Sequence, residues 1–317
     1  MTSIIPPVFA LAAMAAAATP EVVPPSAAPL AEPFAAEALW APVMDYRPGV
    51  VRGDFNLNLT DQFVSASGLL VEDDELMIQP TLTLYTPLFT DPAGWLQTVT
   101  LTAGFWANWS SEEGGIDPAR WREMDTFAGL TLTADRRWRL TGVYTLYDSL
   151  TGSFSTASDL ALGVVFDDTD WLGSAALHPF LEWRWQTSGS TTQPVPDLPP
   201  GEGWICKVGV TPQWSTDWGR LEFPVFAAFV SDGFYYDFNE AAGAWQAASG
   251  GAAFFSAAIK LSRPVPWLSK GRLQTQAYAS VQYHHLASDA LMETSRALGN
   301  DGRRDFVQFH AGLRISF

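Results

Sequence analysis

From residue 53 to the last residue, apolar and polar side chains alternate in one short run after another. The final run is the most regular. Val307, Phe309, Ala311, Leu313, Ile315 and Phe317 share one parity, while Gln308, His310, Gly312, Arg314 and Ser316 share the other. Successive side chains of a strand point to opposite faces, so this run has one apolar and one wet face. Leu181, Trp183 and Trp185 stand against Glu182, Arg184 and Gln186 in the same way, as do Leu273, Ala277, Ala279, Val281 and Tyr283 against Gln274, Gln276, Ser280, Gln282 and His284. The pattern predicts twelve strands, near 53–65, 76–88, 96–109, 122–134, 137–148, 156–168, 176–187, 203–216, 220–232, 251–263, 271–285 and 305–317, with no amphipathic helix between them.

The connections sort into two kinds. Thr90–Trp95, Asp135–Arg137, Asp168–Gly173, Asp217–Gly219 and Pro264–Lys270 are short, whereas Ser110–Trp121, Thr187–Glu202, Asp237–Gly250 and Leu286–Arg304 are longer and more polar. A tilted strand of about ten residues crosses a bilayer, and short turns at one end with long loops at the other are the asymmetry of transmembrane barrels. Each short turn carries or adjoins a tryptophan: Trp95, Trp138, Trp171, Trp218 and Trp267. An indole suits the membrane interface because its body is apolar and its N–H polar, so these five are read as interface anchors. Trp109, Trp121, Trp204 and Trp245 fall near the opposite ends. The rival fold is a soluble β-sandwich, which also alternates but has shorter strands and less consistent loops. The expectation is therefore all-β: a closed antiparallel transmembrane β-barrel of about 12 strands over residues 50–317.

Composition narrows the picture. Beyond the N-terminus no run approaches the ~18 apolar residues of a membrane helix, so a membrane protein of this sequence has to be a barrel. The formal charge of −16 speaks against nucleic acid as a partner, since that binding rests on basic patches. The one cysteine, Cys206, allows neither an internal disulfide framework nor a paired-cysteine metal motif. Residues 1–18 read as a secretory signal peptide, with an apolar stretch and small residues before the expected cleavage point but no Lys or Arg in the first seven positions. Residues 19–49, rich in Pro and Ala, read as an extended linker.

With the apolar faces toward lipid, the other faces line the interior. Parity nominates Trp106, Arg139, Glu182, Arg184, Lys207, Glu222, Lys260, His284, His310 and Arg314 as pore-lining, alongside neutral groups such as Asn56, Asn58, Gln79, Thr81, Thr83, Thr100 and Thr102. Unpaired charge in a narrow lumen is costly, so most of these ions are expected to pair. The functional alternative is a constriction of opposed charges that orients a polar solute. Inward aromatics, Phe180, Phe226, Phe254, Tyr278 and Phe306 with Trp106, would narrow the passage. Glu72, Asp73, Asp74 and Glu75, and Asp167, Asp168 and Asp170, read as solvated surface charge without calcium-loop spacing. No histidine has a serine two positions on and Gly-x-Ser-x-Gly is absent, so no catalytic residue, metal ligand or cofactor is assigned.

Some of these features resemble known families. A last strand closing on Phe317 resembles the terminal insertion signal of Gram-negative outer-membrane β-barrels. Gly209-Val210-Thr211-Pro212, Phe223-Pro224-Val225, Phe234-Tyr235-Tyr236-Asp237 and Asn300-Asp301-Gly302 resemble the C-terminal part of uncharacterised porin-like families. A twelve-strand count is similar to the nucleoside-specific channels, but no nucleoside-site motif is found. The resemblance implies the bacterial outer membrane, with lipid, lipopolysaccharide, the barrel-assembly machinery and small solutes as partners. It also implies a passive outer-membrane channel and says nothing of the solute; the polar lining makes passive diffusion of small polar solutes the leading expectation. The alternatives are a closed structural or adhesion barrel acting through its external loops and a lipid-modifying enzyme.

Overall fold

A computed structural model describes residues 49–73, 75–111, 121–150, 155–192, 203–297 and 302–317. The signal-like segment 1–18 and nearly all of the 19–49 linker lie outside the described residues, as do Asp74, Asn300 and Asp301. The strands in chain order are β1 (Arg52–Thr60), β2 (Phe63–Val64), β3 (Leu70–Glu72), β4 (Met77–Thr90), β5 (Leu96–Ser110), β6 (Trp121–Ala134), β7 (Trp138–Ser149) and β8 (Ala157–Phe166). They continue with β9 (Pro179–Ser188), β10 (Trp204–Val210), β11 (Gln213–Thr216), β12 (Gly219–Glu222), β13 (Val225–Val230), β14 (Tyr236–Asn239), β15 (Ala244–Ala247), β16 (Gly251–Pro264), β17 (Gln274–Leu286) and β18 (Asp305–Ser316).

Neighbours in sequence pair antiparallel around the ring, and β18 closes it on β1 with Leu57 opposite Leu313. Twelve strands form the wall, because β10 with β11, and β12 with β13, are each one strand interrupted by a break. The cause is chemical. Pro212 and Pro224 lack the N–H that would continue the ladder, and they sit at the two breaks, where Phe223 N–H donates to the Pro212 carbonyl at 2.9 Å. The closure is also specific: Phe317 and Gly53 exchange backbone hydrogen bonds at 3.0 and 2.9 Å. A Cβ on Gly53 would lie 2.5 Å from the Phe317 ring, so only glycine lets the terminal ring seat there.

The two faces of the wall are inverted relative to a soluble protein. Ile259, Leu162, Leu130, Phe309, Val208 and Phe255 are exposed, while Thr81, Thr102, Asn56, Gln79 and Gln282 are buried. Leaving each such apolar side chain in water forgoes roughly 1.5–3 kcal/mol, and a soluble sandwich would bury them against a second sheet. Among the described residues nothing covers them, and hydrocarbon is the medium they fit.

Besides the proline breaks and a β14–β15 hairpin in the loop read as Asp237–Gly250, the structure departs from the alternation pattern at the first strand and in the last loop. Alternation carries the first segment to residue 65, but the wall strand ends at Thr60, and β2 and β3 form a hairpin that turns into the barrel. The connection between β17 and β18 contains a helix (Asp289–Ala297), with Ala290, Leu291, Thr294 and Ser295 buried on one side. Its buried face carries one large apolar side chain, Leu291, among small and hydroxyl residues, and at nine residues it is short beside the strands.

Candidate functional site: the barrel lumen

The lumen has two unlike walls. Along β1, β4, β5, β6 and β7 most inward positions are neutral amides and hydroxyls, with Asp54, Asp125 and Arg139 as charged exceptions. Asn58 donates to Gln79 at 2.9 Å, Gln79 donates to Asn108 at 3.4 Å, and Thr131 lies 3.2 Å from Thr141. The Tyr278 hydroxyl stands 3.1 Å from the side-chain oxygens of both Asn56 and Asn58. Across from it, β8, β9, β10, β12 and β16 carry ions. Arg184 sits 3.4 Å from Asp159 and 3.3 Å from Glu182, and it donates at 2.9 Å to the Tyr147 hydroxyl, which donates to Asp159 at 2.6 Å. Lys207 lies 3.9 Å from Glu182. Glu222 holds Arg220 at 3.2 Å and Lys260 at 3.9 Å. Opposite charges on neighbouring strands thus compensate one another inside a low-dielectric shell, where an unpaired ion would be costly.

The nominated residues fall as follows. Trp106, Glu182, Arg184, Lys207, Glu222, Lys260 and His284 are buried, and Arg139, His310 and Arg314 are half-buried. His284 stacks on Phe306 with ring centroids 4.9 Å apart and contacts Gln308 at 3.3 Å. His310 contacts Asn58 at 3.3 Å. Arg314 pairs with Asp54. Lys260 stands 4.9 Å over the Tyr278 ring. Arg139 lies beside Thr133 toward the end with the short turns. Trp95, Trp138, Trp171, Trp218 and Trp267 are exposed on that same rim, where Trp138, Phe166 and Trp171 form a ring cluster with Arg137 over Trp171.

The opposite half of the lumen is filled. The β2–β3 hairpin reaches in until Lys207 donates to the Ala66 carbonyl at 2.9 Å and the Tyr235 hydroxyl donates to that of Ser67. Gly68 has φ +82, and a Cβ there would fall 2.3 Å from the Phe254 ring. Left-handed backbone and close approach both demand glycine at this tip. Phe63 packs on Trp106 at 5.6 Å, and Leu69 and Leu70 join Phe226, Phe254, Leu286, Leu291 and Phe306 in one dry cluster. Leu70 N–H donates to Ser295 of the loop helix at 3.2 Å, so the external loop and the hairpin cap each other.

The acidic segment after the hairpin differs from the solvated surface expected of it. Glu72 and Glu75 both pair with Arg122, and Asp73 pairs with Arg303. These ion pairs tie the base of the hairpin to the rim. Alternation carries no signal for such contacts, because the partners are far apart in sequence.

A ring of strands that is apolar outside, polar inside and closed on itself is a transmembrane β-barrel, the architecture of the bacterial outer membrane. No family model matches the chain, and no curated protein matches it. Solved structures with a similar course of backbone include an outer-membrane channel from Pseudomonas putida F1, at 11% identity over 86% of this chain and 97% of that one, with a TM-score of 0.44. The β domain of the Bordetella autotransporter BrkA is 11% identical over 84% of this chain and 99% of its own, with a TM-score of 0.38. At such identities and scores the likeness says nothing of a site or a solute.

Proposed function

We propose that this protein is an outer-membrane channel for small polar solutes whose outer mouth is closed, in the conformation described, by the β2–β3 hairpin. The observation that carries the reading is that the closure comes from an inserted segment, while the wall itself keeps its polar lining. Solutes would pass between the amide and hydroxyl wall and the Glu182–Arg184–Lys207–Glu222–Lys260 wall, exchanging water for side-chain hydrogen bonds on the way. The rim tryptophans would hold the barrel at the headgroups of lipid and lipopolysaccharide, and Phe317 would be read by the assembly machinery. No catalytic step enters this reading. A second reading, a permanently closed barrel acting through its loops, is favoured by the dry cluster that joins the hairpin to the loop helix.

Planar-bilayer conductance separates the two. Thr60 and Met77 are register partners, so a two-residue Asn-Gly turn can replace residues 61–76 without disturbing the wall. The channel reading expects rare openings in the parent and steady discrete steps in the shortened protein. A shortened barrel that inserts and shows heat-modifiable gel mobility, yet conducts nothing, would favour the closed barrel.

A further inference from the structure

The short turn between β8 and β9 brings together three donor groups that the spacing did not single out. Asp167 and Asp168 open the turn and His178 closes it, and one oxygen or nitrogen from each lies within 4.8 Å of the others. Asp168 is held by the backbone N–H groups of Leu177 and His178 at 3.1 and 2.9 Å, and Asp167 by that of Thr169 at 3.0 Å. The His178 side chain is 7% exposed. Gln213 contacts its Nε2 at 2.8 Å, which leaves Nδ1 aimed at the two carboxylates.

The separations discriminate between two explanations. His178 Nδ1 lies 3.5 Å from Asp167 Oδ1 and 3.9 Å from Asp168 Oδ1. A charge-assisted hydrogen bond would close to about 2.7–2.9 Å. Two ligands each about 2.0–2.2 Å from a shared ion stand roughly 3–4 Å apart.

We propose that Asp167, Asp168 and His178 form a binding site for a divalent transition ion such as zinc, with His178 binding through Nδ1 and Asp167, half-exposed, providing the entry side. Two carboxylate oxygens and one imidazole nitrogen suit zinc better than magnesium or calcium, which favour all-oxygen shells. The remaining coordination would be completed by water. The location gives the ion a task. Among the described residues β11 is laddered only to β12, so the turn lies beside an interrupted stretch of wall, and the ion would clamp both ends of the turn there. With the ion on Nδ1 the ring proton resides on Nε2, and Gln213 receives it through its amide oxygen. That oxygen now accepts from Arg220, so binding turns the amide.

The test is zinc binding to the refolded full chain in detergent after chelator treatment, by calorimetry and equilibrium dialysis. One zinc per chain is expected, with affinity at least tenfold weaker in Asp167→Asn and in His178→Asn. Asparagine is chosen because residue 178 has φ +48 and asparagine tolerates that region. Gln213→Glu is expected to tighten binding, since a carboxylate accepts the Nε2 proton without an amide turn; unchanged or weaker binding would overturn Nδ1 as the ligand atom. No zinc bound to a heat-modifiable parent, equal binding in both asparagine variants, or equal affinity for magnesium would each overturn the site.

Discussion

Gly68→Val should open the channel by unseating the hairpin. Residue 68 has φ +82, and a side chain with a Cβ pays about 1–2 kcal/mol there. The new Cβ would also fall 2.3 and 2.4 Å from two carbons of the Phe254 ring. That ring is itself buried and wedged edge-on against Phe226 at 5.7 Å, so it cannot swing away freely, and overpacking of this kind costs about 1–3 kcal/mol. The sum, about 2–5 kcal/mol, falls only on the seated hairpin, since the wall keeps its hydrogen bonds in either state. At about 1.4 kcal/mol per tenfold, the ratio of open to closed barrels should rise by roughly 30-fold to a few thousand-fold. Single-channel recording in planar bilayers reads this directly as open probability. Gly243→Val is the control, because Gly243 also has positive φ, at +61, but nothing lies within 4 Å of its Cβ position. A folded, inserted Gly68→Val protein with the parent's open probability would refute the reasoning, as would an equal effect of Gly243→Val.

Val281→Arg places a charge on the outer face beside Ile259 and Phe309. It should cost about 2–4 kcal/mol if the position lies near the bilayer midplane, read from urea titration of folding into vesicles; unaltered folding would reverse the assigned face. Arg184→Met leaves Asp159 and Glu182 without their shared cation and should lower the unfolding free energy by about 3–5 kcal/mol, whereas an unchanged urea midpoint would show that the pairing contributes nothing. In the external loops, burial together with the charges of Glu293 and Asp289 raises the Asp237 carboxyl above the ordinary range. Its protonated form is therefore the one the folded loop prefers, so the loop is firmest at acid pH and loosens as pH rises through the raised value. Amide exchange in β14 and β15, corrected for intrinsic rates, should be slower at about pH 4, the ordinary carboxylate range, than at neutral pH, and Asp237→Asn should abolish the difference; a larger difference in the variant would contradict the sign.

Alternation along the chain determined the strand count, the closed all-β architecture and which wall positions are apolar, because a period of two is a local property that each segment displays by itself. Turn lengths carried the up-and-down order for the same reason: a short antiparallel connection leaves few other arrangements. Contacts between distant segments were beyond it. Parity can assign Lys207 to a face, but not the Ala66 carbonyl that it meets, and it extended the first strand through residues 61–65 because Phe63 and Val64 continue the pattern. Only the closed ring, with its finite interior, makes inward folding of that hairpin the way to bury Leu69 and Leu70. Asp167 and Asp168 likewise read as surface charge until the turn brings them together with His178. Backbone periodicity is written locally; what fills an enclosed space depends on every wall at once, and that was decided in three dimensions.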